Sequence, residues 1–179
     1  MARHTKVADP AATPAQGAGT SRGATFRELT PDECRALLAR RTVGRLAYTF
    51  HDRVGIEPLH YAYEDGRVYG RTSPGSKLTT LAHHPWVAFE VDEVAGVFEW
   101  RSVVARGTFY RIERDGTAAQ RASWQRAVQL LGAIVPGMLT PADPVPFRDV
   151  VFYIHVDEMT GRAAMPAVDR TADLPPAAG

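Results

Sequence analysis

Val54-Gly55-Ile56-Glu57-Pro58-Leu59-His60-Tyr61-Ala62-Tyr63-Glu64-Asp65-Gly66-Arg67-Val68-Tyr69-Gly70-Arg71-Thr72 is the stretch that decides the fold. Val54 to Tyr63 reads as a strand, Glu64-Asp65-Gly66 as a tight turn and Arg67 to Thr72 as the returning strand. Asp-Gly readily takes the positive φ angles of a two-residue hairpin, so the two strands are antiparallel neighbours. Pro58 cannot donate a ladder hydrogen bond, which predicts a bulge or a sheet edge in the first of them.

Working outward, Leu46, Tyr48 and Phe50 alternate as a preceding strand, with His51-Asp52-Arg53 as its turn. Further upstream, Thr30-Pro31-Asp32-Glu33 combines a capping residue, a proline at the first helical position and a glutamate at capping-box spacing. That predicts a helix to about Arg41, with Cys34, Leu37 and Leu38 on its buried face. Downstream, Ser73-Pro74-Gly75-Ser76 is loop chemistry, Lys77 to His83 reads as a helix, and Pro85 stops it. Trp86 to Asp92 alternates strictly, Val97 to Ile112 is long enough for a strand bent at Gly107, and Gly116 to Leu131 reads as a helix with Trp124, Val128 and Leu131 on one stripe. A proline-rich connection, Pro136 to Phe147, leads to a last β-forming run, Val150 to Val156. Strands joined mostly by tight turns, with only a few short helices, predict a mainly β protein whose antiparallel sheet closes into a small barrel. Regular βα alternation and a Gly-x-Gly-x-x-Gly fingerprint are both missing, which argues against a Rossmann fold.

Composition sets the outer limits. Of 179 residues, 45% are hydrophobic and 23% charged, as in a globular chain of one domain. The ends dilute this average: residues 1–24 and 163–179 are dominated by small residues and proline and are expected to be flexible tails. The expected domain is 25–162, with 17 basic and 17 acidic residues. That neutrality speaks against a nucleic-acid partner recognised by bulk charge. The longest uncharged run, Ala127 to Ala142, is too short to span a bilayer and is broken by Gly132, Pro136 and Gly137, so no membrane role is expected. The first residues carry Arg3, His4, Lys6 and Asp9 without an apolar segment, and there is a single cysteine, so the expected location is the cytoplasm.

The stretch from Val68 to Lys77 gathers hydroxyls, a glycine loop, a helix start and two cations within ten positions. Backbone N–H groups and the dipole at a helix N-terminus favour an anion, the hydroxyls of Thr72, Ser73 and Ser76 can donate to it, and Lys77 supplies charge. Lys77 is also the lone lysine of the expected domain, among sixteen arginines. Taken alone, the same residues equally fit a polar turn before an ordinary capped helix.

The order of motifs from Leu29 to about Arg162 resembles the FMN-binding split-barrel proteins of the pyridoxamine 5′-phosphate oxidase-like superfamily, and most closely its nitroimidazole-reductase-like branch. The pieces that carry the resemblance are Val43-Gly44-Arg45-Leu46-Ala47, Ile56 to Tyr63, Thr72-Ser73 with Gly75-Ser76-Lys77, His84 to Asp92, Trp100-Arg101-Ser102-Val103 with Gly107, and Met159 to Arg162. The resemblance implies a split β-barrel of antiparallel, Greek-key type. It implies that Arg71, Thr72, Ser73, Ser76 and Lys77 hold the phosphate and ribityl chain of FMN, and that Pro58, Leu59, His60 and Tyr61 flank the isoalloxazine through backbone groups. Trp100 and Ser102 would contribute across the interface of a homodimer; from the residues alone, Trp100 also fits core packing. The implied activity is that of an oxidoreductase on a small-molecule substrate, with no catalytic side chain singled out and no metal.

The chain also departs from the pattern. The Arg-x-His substrate motif of true pyridoxamine-phosphate oxidases is not visible in Val150 to Arg162, and Arg71 stands where nitroimidazole-reductase relatives commonly carry a histidine. Relatives on this fold use deazaflavin or haem, which stand as alternative cofactors, and a non-catalytic flavin-binding or sensing module, or a deazaflavin-dependent reductase, is the alternative function. Elsewhere, adjacent His83 and His84 diverge around a helix and chelate poorly, and Glu90 and Asp92 point to the solvated side of their strand.

Overall fold

Asp65 and Gly66 adopt φ angles of 48° and 73°, and the chain reverses there as the Asp-Gly pair predicts. The computed structural model describes residues 24–50 and 53–166; His51 and Asp52, the expected turn residues of the preceding hairpin, lie outside the described residues. In chain order the elements are β1 (Ala24–Glu28), α1 (Pro31–Arg40), β2 (Val43–Phe50), β3 (Arg53–Glu64), β4 (Arg67–Thr72), α2 (Ser76–His83), β5 (Trp86–Gly96), β6 (Glu99–Arg111), α3 (Ala118–Ile134) and β7 (Val150–Pro166).

All pairings are antiparallel, in the order β1-β7-β4-β3-β2-β5-β6, and β6 pairs back onto β7 to close the sheet into a barrel. The register slips between Arg106 and Gly107 on β6, at the bend glycine. A Cβ there would collide with the His155 carbonyl, so the close crossing of β6 over β7 requires glycine.

One pairing is incomplete. β3 meets β4 only from Tyr61 opposite Gly70 to Glu64 opposite Arg67, while Arg71 and Thr72 of β4 pair with β7. Upstream of Tyr61, β3 is therefore held by β2 alone, and the barrel has a seam along Arg53 to His60. Pro58 lies in this seam, opposite Arg45. The edge expected from Pro58 is there; the bulge is not, because the β2–β3 register runs unbroken from Val43–His60 to Phe50–Arg53.

Strand alternation fills the barrel. Leu46, Leu59, Tyr61, Val68, Phe89, Val91, Val103, Ala105, Phe152 and Ile154 are buried, and α1 adds Cys34, Leu37 and Leu38. The capping box at Thr30 and Glu33 forms as read from the sequence. Tyr61 meets Phe89 edge-on at 4.7 Å and donates its hydroxyl to the Leu38 carbonyl at 2.7 Å, tying α1 to β3. A second cluster of Tyr69, Ile112, Ala127 and Val151 lies outside the barrel, where α3 packs on β4, β7 and the Glu64 end of β3. On α3 the fully buried residues are Ala127 and Leu131, while Trp124 and Val128 are half-buried.

The folded unit is longer than the expected 25–162. β7 runs to Pro166, Ala163 and Ala164 are fully buried, and Ala24 pairs with Pro166. The small residues that suggested a tail are those a crowded strand needs, with β1 on one edge of β7 and β6 on the other. Among the described residues no helix is long and apolar enough to cross a membrane.

Candidate functional site

The loop after β4 delivers an uncapped helix to the seam. α1 and α3 both begin with complete capping boxes, but α2 begins at Gly75, whose φ is +155°, with no side-chain cap. Nothing lies within 4 Å of where a Gly75 side chain would be, and no acidic residue occupies the first turn of α2. The Leu78 N–H bonds the Gly75 carbonyl at 3.0 Å, and no side chain caps the Ser76 and Lys77 N–H groups, which gives this helix, unlike α1 and α3, an N-terminus suited to an anion. Ser76 is exposed, Ser73 half-buried and Thr72 buried beside this end.

Lys77, one residue into α2, reaches back to β3. Its ammonium donates to Glu57 Oε2, and lies 5.9 Å from the centre of the Tyr48 ring. Tyr48 donates its hydroxyl to Glu57 Oε1 at 2.9 Å. Burial works to raise the Glu57 carboxyl, but the hydrogen bonds from Lys77 and Tyr48, and the charge of Arg148, hold it below its ordinary value. Burial and the neighbouring carboxylate push the Tyr48 hydroxyl up. Sequence reasoning missed Glu57. Its signal was a charged residue in an inward register, opposite Leu46 and two positions before buried Leu59.

Arg71 is placed otherwise. Its guanidinium forks onto Asp143 at 2.5 and 3.0 Å, with side-chain exposures of 6% and 2%, and also donates to the Arg148 carbonyl. Asp143 further accepts the backbone N–H groups of Leu139 and Val145, and Arg71 above all holds its carboxyl far below the usual range. Strand alternation explains the difference: Thr72 follows the barrel side of β4, whereas Arg71 shares the α3 side with Tyr69 and is sealed under residues 135–149. Of the two cations read from this stretch, only Lys77 stands at the seam.

On β3, Leu59 and Tyr61 are spent on the core, and Pro58 and His60 are exposed. Leu59 can therefore offer a ligand in the seam only backbone atoms and Pro58 its carbonyl, while the Tyr61 N–H is held by the Thr42 carbonyl at 2.9 Å and the His60 imidazole is exposed. Trp100 and Ser102 sit far along the barrel. They pair with Val94 and Asp92, well down β5 from Trp86, where α2 hands over to the strand. Trp100 lies against Phe26, and Ser102 donates to Glu90 at 3.1 Å on the outer face. Within one chain they do not join the α2 site. Glu90 and Asp92 both pair with Arg45 on that same face, as solvated ion pairs.

These features fit a phosphate-bearing ligand with a flat body: an open helix N-terminus, hydroxyls, a lysine at the mouth and a free strand edge. A cavity of about 590 Å³ lies on the other flank of the loop, between Pro74, Leu78, Ile112, Trp124 and Val151. The guanidinium of Arg114 stacks 5.2 Å from the Trp124 ring beside it.

Comparison with known proteins bears on this site. A family model described as pyridoxamine 5′-phosphate oxidase matches residues 30–163. An uncharacterized protein of Rhizobium meliloti is 29% identical over 143 residues, 77% of this chain and 95% of that one. Among solved structures, an FAD-binding protein from Mesorhizobium loti is 27% identical with a TM-score of 0.64, covering 80% of this chain and 99% of its own. The FAD-binding protein from Mycobacterium smegmatis is also 27% identical, with a TM-score of 0.56 and coverages of 76% and 98%.

Proposed function

Because the chain belongs to the pyridoxamine 5′-phosphate oxidase family, we propose that it is a cytoplasmic, FMN-dependent oxidoreductase that works as a homodimer on a small molecule. The observation that carries the reading is the seam itself, a stretch of β3 left unpaired on its β4 side and met by an uncapped helix with Lys77 at its start. The split-barrel fold and the FAD-binding relatives support a flavin in that seam. In this reading Lys77 and the first-turn N–H groups of α2 hold the phosphoryl group, while Thr72, Ser73 and Ser76 donate hydroxyls to it and to the ribityl chain. The backbone of Pro58, Leu59 and His60 orients the ring, and the packing of Leu59 and Tyr61 keeps that strand rigid. Arg71 acts one step away, anchoring β4 through Asp143 so that the loop starts in a fixed place. The bound flavin supplies the hydride or electron transfer, so the chain itself needs to bind, orient and exclude water.

A second copy completes the site in this proposal. Val43, Val54, Ile56 and Trp86 are exposed large apolar residues on β2, β3 and β5, in registers that place them on one outer face. The Arg45 ion pairs separate Val43 from the rest, but Val54, Ile56 and Trp86 are each about two-thirds exposed, and an apolar patch of this kind marks an association surface. It would bring the second copy's Trp100 and Ser102, remote from Lys77 in their own chain, towards the ring.

The test is a visible absorption spectrum after gel filtration with FMN, and separately with FAD, together with the mass from sedimentation. Retained flavin bands and a mass twice the 19.6 kDa of one chain are expected. A colourless protein with either flavin, or retention unchanged in Lys77→Ala, would overturn the assignment.

A further inference from the structure

Glu57 is out of place by every local rule except one. β3 alternates inward at Gly55, Glu57, Leu59 and Tyr61, so Glu57 occupies a core register where the neighbouring positions are small or apolar. A carboxylate there is tolerable because the barrel is open at this end: Glu57 keeps 44% of its side chain exposed and has both oxygens engaged, one by Lys77 and one by Tyr48. The lysine that the flavin reading assigns to a phosphoryl group thus already holds an anion supplied by its own chain.

We propose that Glu57 is the specificity-determining residue of this site, an internal anion that competes with the ligand's phosphoryl group for Lys77. The inference rests on the flavin reading above and sets its phosphate selectivity. An ammonium has three N–H donors and can hold two anions, but a carboxylate and a phosphoryl group on one ammonium repel each other. A phosphorylated ligand must therefore displace Glu57 towards solvent or share Lys77 with it, and either course weakens binding. A ligand lacking the phosphate meets no such competition. The geometry favours displacement, since Glu57 is half-exposed and otherwise tied by a single tyrosine hydroxyl, whereas Lys77 is only 11% exposed and stays in place over the Tyr48 ring.

The experiment is a fluorescence titration of the full chain and of Glu57→Gln with FMN and with riboflavin, which differ only in the phosphate. Glu57→Gln should bind FMN about tenfold more tightly than the wild type, with riboflavin affinity unchanged. Glu57→Ala should shift in the same direction, and thermal melts of both variants show that they are folded. Unchanged FMN affinity, weaker FMN binding in both variants, or an equal gain for riboflavin would overturn the competition while leaving the flavin reading intact. Wild-type protein that binds neither flavin would overturn the flavin reading itself, and the competition with it.

Discussion

Arg71 and Lys77 stand six residues apart in one loop-forming stretch, and both are neutralised by a carboxylate from elsewhere in the chain, yet they do different work. Arg71 meets an Asp143 that is itself fixed by two backbone N–H groups, and the pair is sealed from water. Lys77 meets a Glu57 that is half-exposed and tied by one hydroxyl. The difference teaches that a cation's role is set by how firmly its counter-ion is held. A partner locked by the backbone makes a structural pin, and a partner free to swing leaves a charge that a ligand can claim.

The comparison breaks most easily at the pin. Arg71→Ala leaves the Asp143 carboxylate buried without its main partner, and the melting temperature should fall by about 10 °C or more. A melt within a degree or two of the wild type would remove the distinction between the two cations. The second test lies at the open end. Lys77→Ala should weaken FMN binding by roughly a hundredfold, the scale of a lost charge-assisted contact to a phosphate, with little change in the thermal melt. If the melt collapsed instead, Lys77 would be a pin as well.

Smaller effects sharpen the same contrast. Tyr61→Phe removes the hydrogen bond to the Leu38 carbonyl on the closed side and should cost about 1 kcal/mol in a denaturant titration, with FMN affinity preserved. The smallest effect is expected at the surface. The hydrogen bond from Arg27, with help from the Thr30 N–H, pushes the Glu33 carboxyl down to about 2 from its ordinary 4.5. A depressed folded value means that this contribution is complete above about pH 4.5 and is lost as the pH falls towards 2. Glu33→Gln, which keeps a capping side chain, should therefore be slightly less stable than the wild type at pH 7 and equal to it near pH 2. Identical stability curves across that range would show that the ion pair does nothing for the fold.

Much of the fold was legible because the rules that shape it are local. Asp65-Gly66, the Thr30 capping box, the alternation of Val87, Phe89 and Val91 and the stop at Pro85 each act through neighbours in sequence, and each came out as read. The full extent of β7 was not legible, because Ala163 and Ala164 look like a tail until β1 and β6 are known to crowd them. The site was legible in part. The loop and Lys77 could be read from residue types and Pro58 announced an edge, but where the β3–β4 pairing stops depends on where two strands diverge. Arg71 and Lys77 looked equivalent in the sequence because Asp143 and Glu57, the residues that separate their roles, lie 72 and 20 positions away.

The most direct test of the account is hydrogen exchange of the backbone amides with and without FMN. Slowed exchange is expected in the peptides spanning 57–61 and 73–78, at the open edge of β3 and the start of α2, with no change around Arg71 and Asp143. Protection centred on residues 111–114, Trp124 and 139–151, the walls of the neighbouring cavity, or no protection anywhere, would contradict it.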